Sequence, residues 1–397
     1  MSRDIVRVAM ARRGESSLCW MLVHVHVGTR AMTAANLTPA AGMPIDPRPT
    51  PPDRAMRPVP AQLVDAEGHP NTGAFRGVIR ELNTQDLRGP FRRSAWQWLR
   101  EKRWNQLYVV SPDVAASVAI LDLKYLASAF CYVLDRRTNR LHEFARLAPF
   151  GLGLTFRGNP LAGLVRFRSR GVRVEFEHDC AHGLRRLSLT SRTYRGAIDL
   201  SLKIADDGRA TVPINSVQGL PPYGLVYSHR SGPLPASGQA LVDGRSRSVR
   251  EGQSFAMFNW QWALHPRDAR WTWMSGAGPC ADGKRIVAFN LTRANDGLGE
   301  PENFLWFDGQ PVAVGRVSFA MDLARKDGEW AVRSEDGRVR LTFRPDVVRM
   351  GQRDAIWAKV YYRQPIGRFS GTLVDADGRS IEVRDLPGFA TDQTVHW

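Results

Sequence analysis

Lysine is nearly absent from this chain. Of its 55 basic residues only six are Lys (Lys102, Lys124, Lys203, Lys284, Lys326 and Lys359), and the rest are Arg. The net charge of +16 invites a nucleic-acid or anionic-membrane partner. The Arg residues are spread without one basic helix or arm, which points to coding bias and away from a specific nucleic-acid site. Cysteine is scarce as well. Cys19, Cys131, Cys180 and Cys280 stand far apart with no C-x-x-C pair, so neither a zinc knuckle nor a dithiol redox motif can be built. The His residues are scattered likewise, and no metal or cofactor is expected. No apolar run approaches the roughly 20 residues of a membrane-spanning helix. The nearest, Leu18 to Val27, is broken by His24 and His26 and lacks a clear cleavage site. These absences lead us to expect a soluble, cytoplasmic protein with no transmembrane segment. No G-x-S-x-G elbow, P-loop or dinucleotide fingerprint stands in suitable context, which removes several large enzyme classes.

What is present is strand-like text. Residues 1–58 differ from the remainder, with Ala-, Thr- and Pro-rich stretches that favour a disordered leader; Met32, Met43 and Met56 would each serve as a later start. Beyond it, short runs rich in Val, Leu, Phe, Tyr and Trp are cut by Gly, Asp and Asn. Strands are expected at Gln106–Ser111, Ser117–Leu123, Ala129–Asp135, Val172–Glu177 and Arg185–Thr190. In the second half they are expected at Ser254–Trp262, Arg270–Ser275, Arg285–Leu291, Phe304–Asp308, Val339–Phe343 and Ile356–Tyr362. Asp-Gly pairs such as Asp308-Gly309 supply the positive φ of tight hairpins. Short helices are expected near Arg80–Leu87 or Asp122–Ser128. The run Arg166, Arg168, Arg170 and Arg173, alternating with Val165 and Phe167, reads as a strand with a solvated basic face.

The two halves repeat one another. Trp96-Gln97-Trp98 recurs as Trp260-Gln261-Trp262, and Trp104 and Ser111 find counterparts in Trp271 and Ser275. Val118-Ala119-Ile120 answers to Val287-Ala288-Phe289, and Tyr132–Asp135 to Leu305–Asp308. Arg186–Leu189 answers to Arg340–Phe343, and Ser237–Asp243 to Ser370–Asp375. Each block is weak alone; their shared order is the signal. A tandem duplication gives each half about eight strands, the number that suits a closed or nearly closed barrel. The expected organisation is a leader over 1–58, a first β-barrel-like repeat over 59–250 and a second over 251–397.

The second copy carries a recognisable pattern. Phe258-Asn259-Trp260, Pro266-Arg267, Trp271-Thr272-Trp273, Ala288–Leu291, Glu302-Asn303, Leu305–Gly309 and Gly367–Gly371 together resemble the bacterial domain-of-unknown-function 2804 family, over roughly Val59 to Trp397. The resemblance brings no established activity. It implies an all-β fold of two tandem lipocalin-like (calycin-like) antiparallel β-barrels or barrel-like sandwiches, distantly similar to lipocalin-like double-barrel proteins such as carotenoid hydratases and tocopherol cyclases. The family pattern has an acidic residue where Asn259 stands, and a Glu and a His where Thr391 and Gln393 stand. If those groups form an acid–base set in relatives, this chain has lost it.

Three functional expectations follow. The first is a binder of a hydrophobic small molecule, a lipid or isoprenoid. Two W-x-W pairs, Trp260/Trp262 and Trp271/Trp273, each share one strand face. They would line a cavity mouth with Asn259, His265 and Arg267 as polar contacts, or fill the barrel floor as core. Asn290 and Asn303 would orient a ligand or satisfy backbone groups, and Arg368 would hold a carboxylate or face solvent. The second expectation is a hydratase or cyclase acting on an unsaturated lipid. It needs a protonating acid, and Glu302 is the candidate if burial raises its pKa. The third is a basic module for nucleic acid or anionic membrane.

Overall fold

A computed structural model describes residues 56–194, 196–220, 224–294, 302–322, 325, 327–354 and 358–397, together with a short strand pair at Val6–Val8 and Met21–Val23. The rest of the expected leader, and the start of the strand expected at Ile356–Tyr362, lie outside these residues.

The fold is two curled antiparallel half-barrel sheets. Across the first, the strands run Arg140–Pro149, Leu126–Asp135, Val114–Asp122, Glu101–Val110, Phe255–Leu264, Gly224–Val242, Gly196–Ala205, Leu184–Thr193, Val172–Asp179, Ala162–Ser169 and Leu154–Gly158. The second runs Gln310–Ala313, Phe304–Phe307, Ile286–Ala294, Asp268–Pro279, Ser380–His396, Lys359–Val374, Val339–Asp354, Trp330–Ser334 and Val317–Met321. Both orders have one logic. A four-strand meander folds outward from its first strand, and that first strand also pairs with the last strand of its own half.

This order supplies a register for the duplication. Val118–Ile120 and Val287–Phe289 lie on corresponding strands, as do Tyr132–Asp135 and Leu305–Asp308, and Ser237–Val242 and Ser370–Val374. The last pair holds Gly238 (φ +135°) opposite Leu202 and Gly371 (φ +140°) opposite Leu341. A Cβ there would sit 2.0 Å from the Ser201 carbonyl oxygen and 2.2 Å from that of Arg340, respectively, so both positions require glycine. Arg340–Phe343 therefore corresponds to Gly196–Ala205, one strand later than Arg186–Leu189.

Trp96-Gln97-Trp98 is not a copy of Trp260-Gln261-Trp262. Ser94 accepts a hydrogen bond from the Gln97 N–H at 3.1 Å and caps a short helix, Ala95–Arg100, on which Trp96 and Trp98 are exposed. Strand Phe255–Leu264 completes the first sheet, so the chain passes from one sheet to the other at 265–267, one strand after the 250/251 boundary read from sequence. Thr84–Asp86 forms a single 3₁₀ turn, whereas 122–128 holds the hairpin between two strands and no helix.

Burial follows the pattern of the sequence. Val172–Asp179, Leu184–Thr193 and Gly196–Ala205 alternate apolar and polar residues, and only one face of each is covered. On Ala162–Ser169, Val165 and Phe167 are buried while Arg168 is exposed, and across it Arg166 and Arg173 lie 3.8 and 3.1 Å from Glu175; the basic face is outward, as expected. Val114–Asp122 reads Val-Ala-Ala-Ser-Val-Ala-Ile-Leu-Asp and is buried throughout. One face of it lines the first lumen with Leu107, Val109, Val133 and Phe258. The other turns toward the second half, where the outer faces of the two sheets pack as a seam around Tyr108, Tyr132, Met257, Trp273, Trp306 and Phe389.

Candidate functional site

The seam is where the second-copy candidates gather. Asn259 lies on Phe255–Leu264, paired with Arg230 on one side and Gln106 on the other. Alternation turns Asn259 to the seam and its neighbours Phe258 and Trp260 to the lumen. Opposite stands Trp273, stacked on Tyr108 with centroids 4.5 Å apart and planes at 27°. Its indole Nε1 donates to Asn290 Oδ1 at 2.7 Å, and Asn290 Nδ2 donates to the Glu302 carbonyl at 2.7 Å.

Glu302 is buried at this junction. Its carboxylate accepts from Ser216 Oγ at 2.6 Å and from Arg230 Nη2 at 2.9 Å. Burial would push this carboxyl up. The Arg230 guanidinium and hydrogen bonds from Ser216, Ser228 and Arg230 together outweigh that penalty and hold it below the ordinary glutamate value. The condition set for a general acid, a raised pKa, is therefore not met: at neutral pH Glu302 is an ionised partner of Arg230.

A small pocket of about 20 Å³ opens between the sheets, room for about one water. Its wall includes Tyr108, Met257, Trp273 and Trp306; its polar side is Arg230, Ser231, Asn259 and Asn290. Arg230 Nε, Ser231 Oγ and Asn259 Oδ1 are buried and have no hydrogen-bond partner among the described residues. Arg230 and Asn259 are direct cross-strand partners, so a donor and an acceptor share the face that borders the cavity, whereas Ser231 pairs with Phe258 on the lumen side.

The remaining candidates disperse. Trp260 and Trp262 pack in the first lumen, while Trp271 and Trp273 belong to the seam, so the four indoles form no common mouth. The cause is the sheet membership of Phe255–Leu264. Trp271 meets Trp104 edge-on at 6.3 Å and stacks on Trp397 at 6.4 Å. His265 lies between the sheets, 5.7 Å from Trp397; burial, helped by Lys102, pushes its pKa down to about 4. Arg267 is exposed and donates to His396 Nε2 at 2.9 Å. Asn303 accepts from the Thr292 N–H and donates to the Gly315 carbonyl, tying loops together. Arg368 pairs with the chain's own Asp346 at 3.2 Å. Thr391 and Gln393 are buried opposite Trp273 and Trp271 on the neighbouring strand, so with Asn259 they share the seam.

Sequence reasoning missed Arg230, Ser216 and Tyr108. Nothing local marks Arg230 or Ser216, whose partner Glu302 is 72 and 86 residues away. Among the described residues no group of His, Cys, Asp and Glu is placed to hold a metal, and no helix is long and apolar enough to cross a membrane.

A family model described as "Domain of unknown function (DUF2804)" matches residues 54–397. No curated protein sequence matches the chain. Among solved structures, a candidate AttH from Nitrosomonas europaea is 15% identical with a TM-score of 0.45, covering 74% of this chain and 92% of that one. CghA with Sch210972 is 13% identical with a TM-score of 0.48, covering 74% and 88%. Kievitone hydratase from Nectria haematococca is 11% identical with a TM-score of 0.43, again covering 74% and 88%. At this identity and overlap none lends its activity to this chain.

Proposed function

Because this chain belongs to the domain-of-unknown-function 2804 family, which brings no activity with it, its role has to come from its own side chains, and we propose that it binds an apolar small molecule with a polar head at the seam between its sheets. The observation that carries this is the pair Arg230 Nε and Asn259 Oδ1, buried without partners on cross-strand neighbours that line one aromatic-walled pocket. Unmet buried polar groups are costly, and a ligand hydroxyl or similar head satisfies a donor and an acceptor at once. The closed pocket admits only such a head. The apolar body is accommodated by parting the Tyr108–Trp273 stack, so binding is coupled to movement of the seam.

A binding role fits Glu302 better than a protonating one, since an ionised carboxylate held by Arg230 has no proton to give. The anionic-partner reading rests on net charge alone. Extraction of the purified protein followed by mass spectrometry tests the proposal. A recurrent apolar species that disappears in Asn259→Leu is expected; repeated recovery with no bound apolar compound overturns it.

A further inference from the structure

Strand Phe255–Leu264 turns its other face to the first lumen, where a second polar group is buried away from the seam. Asn105, Trp260 and His229 are direct cross-strand neighbours in one row over three adjacent strands. Asn105 Oδ1 lies 2.8 Å from His178 Nε2, and His178 Nδ1 lies 3.0 Å from Arg185 Nη1. The Arg185 guanidinium sits 3.9 Å from the centre of the Phe258 ring, with the His178 and His229 rings 5.0 and 5.8 Å from it. Row and chain meet around one side chain.

The direction of each hydrogen bond is fixed. Arg185 can only donate, so His178 Nδ1 accepts and its Nε2 carries the proton, which it gives to Asn105 Oδ1. Asn105 is left with its amide Nδ2 free. On the other side, Asn215 Oδ1 accepts from the Ile79 N–H and the Tyr227 hydroxyl. Its Nδ2 therefore donates to His229 Nδ1, and the His229 proton stands on Nε2. Asn105 Nδ2, His229 Nε2, Arg185 Nη2 and Trp260 Nε1 have no partner among the described residues, and the four residues are at most 4% exposed. All four free groups are N–H donors.

The charges around them cancel. Arg185 Nε donates to Asp206 Oδ2 at 2.6 Å, both side chains being buried. Burial first, and Arg185 second, hold His178 and His229 neutral. A buried carboxylate or phosphate would stay uncompensated, whereas a neutral oxygen acceptor would not. We propose that the first lumen binds an apolar carbonyl compound (a ketone, ester or amide) whose oxygen accepts hydrogen bonds from Trp260 and His229, direct cross-strand neighbours, its two lone pairs matching two of the free donors. This site is independent of the seam, because it uses the opposite face of the same strand.

Cyclohexanone, cyclohexanecarboxylate and methylcyclohexane serve as probes against the full chain, followed through the Trp260 indole N–H resonance assigned by Trp260→Phe. Cyclohexanone should move that resonance downfield saturably, and Trp260→Phe, followed through the His229 Nε2–H resonance, should weaken its binding by about three- to tenfold, the worth of one hydrogen bond. The carboxylate should bind at least about tenfold more weakly than the ketone, for want of a compensating charge. An indole signal unmoved by excess cyclohexanone overturns the proposal and leaves the donors to ordered water. So does a carboxylate or methylcyclohexane that binds as well as the ketone. Should Trp260→Phe fail to fold, the His229 Nε2–H resonance of the unaltered protein gives the same reading.

Discussion

Glu302 and Arg230 meet across the seam at 2.9 Å, one from each half of the molecule and both almost wholly out of solvent. The pair joins the two sheets electrostatically and fixes the polar side of the seam pocket.

Removing one partner should be far worse than removing both. Arg230→Met leaves Glu302 as a lone buried carboxylate and should cost about 3–5 kcal/mol in denaturant unfolding, whereas Arg230→Met/Glu302→Met should cost much less. The folded-state pKa of Glu302 lies below its unfolded value. Its contribution is therefore present above the ordinary carboxylate range and is lost as pH falls through it. In Arg230→Met the sign should reverse, with acid relieving the strain.

Histidine sets a second, higher acid limit. His265 has its pKa pushed down to about 4, and His178 and His229 are pushed well below normal. Each is neutral when folded and takes up a proton more readily when unfolded. Stability should fall as pH drops below about 6.5, by up to about 1.4 kcal/mol per pH unit for each such group. Urea midpoints taken from neutral to acidic pH check this, and a flat profile above pH about 5 would count against it.

The two matching strand glycines, Gly238 and Gly371, should be intolerant where turn glycines are not. Gly371→Ala sets a Cβ against the Arg340 carbonyl and should cost about 3 kcal/mol or more, from strain plus clash. Gly378 also has positive φ but faces open space, so Gly378→Ala should cost only about 1 kcal/mol. Thermal unfolding of the two variants makes the comparison.

Asn259→Leu should separate stability from function. Replacing Asn259, whose buried Oδ1 has no partner among the described residues, by a group of similar size removes an unmet acceptor, so stability should hold or rise by about 1 kcal/mol. Ligand retention should fall.

Tyr108 and Trp273 are stacked across the seam. A double-mutant cycle with Tyr108→Leu and Trp273→Leu should give a coupling of about 0.5–1.5 kcal/mol. A coupling near zero would mean that the halves are held together elsewhere.

Much of this was legible from text alone, through alternation. The run Val114–Leu121, apolar except for Ser117, marks a strand covered on both faces, and Val172-x-Val174-x-Phe176-x-His178 places His178 among inward residues. A lone inward His with no motif beside it does not by itself mark a site, so alternation places His178 without giving it a role. Asn259 and Trp273 fall in one cluster of the sequence and Asn290 and Glu302 in another, and only the fold brings them to one seam. Their partners Arg230 and Ser216 were hidden, since pairing between sheets leaves no local period. The Trp96–Trp98 text misled because an aromatic triplet carries no information on helix or strand, and a serine cap decided it.

Each sheet is zipped by its own last strand: Phe255–Leu264 against Glu101–Val110, and Ser380–His396 against Asp268–Pro279. A nascent chain leaving the ribosome can form its early hairpins promptly, yet neither half can close until its final segment has emerged. Until then the inner faces stay open to water, and closure demands contacts across more than a hundred residues. Such non-local closure makes for slow folding and a long exposure to aggregation, so production of this protein should respond to chaperones and to translation speed.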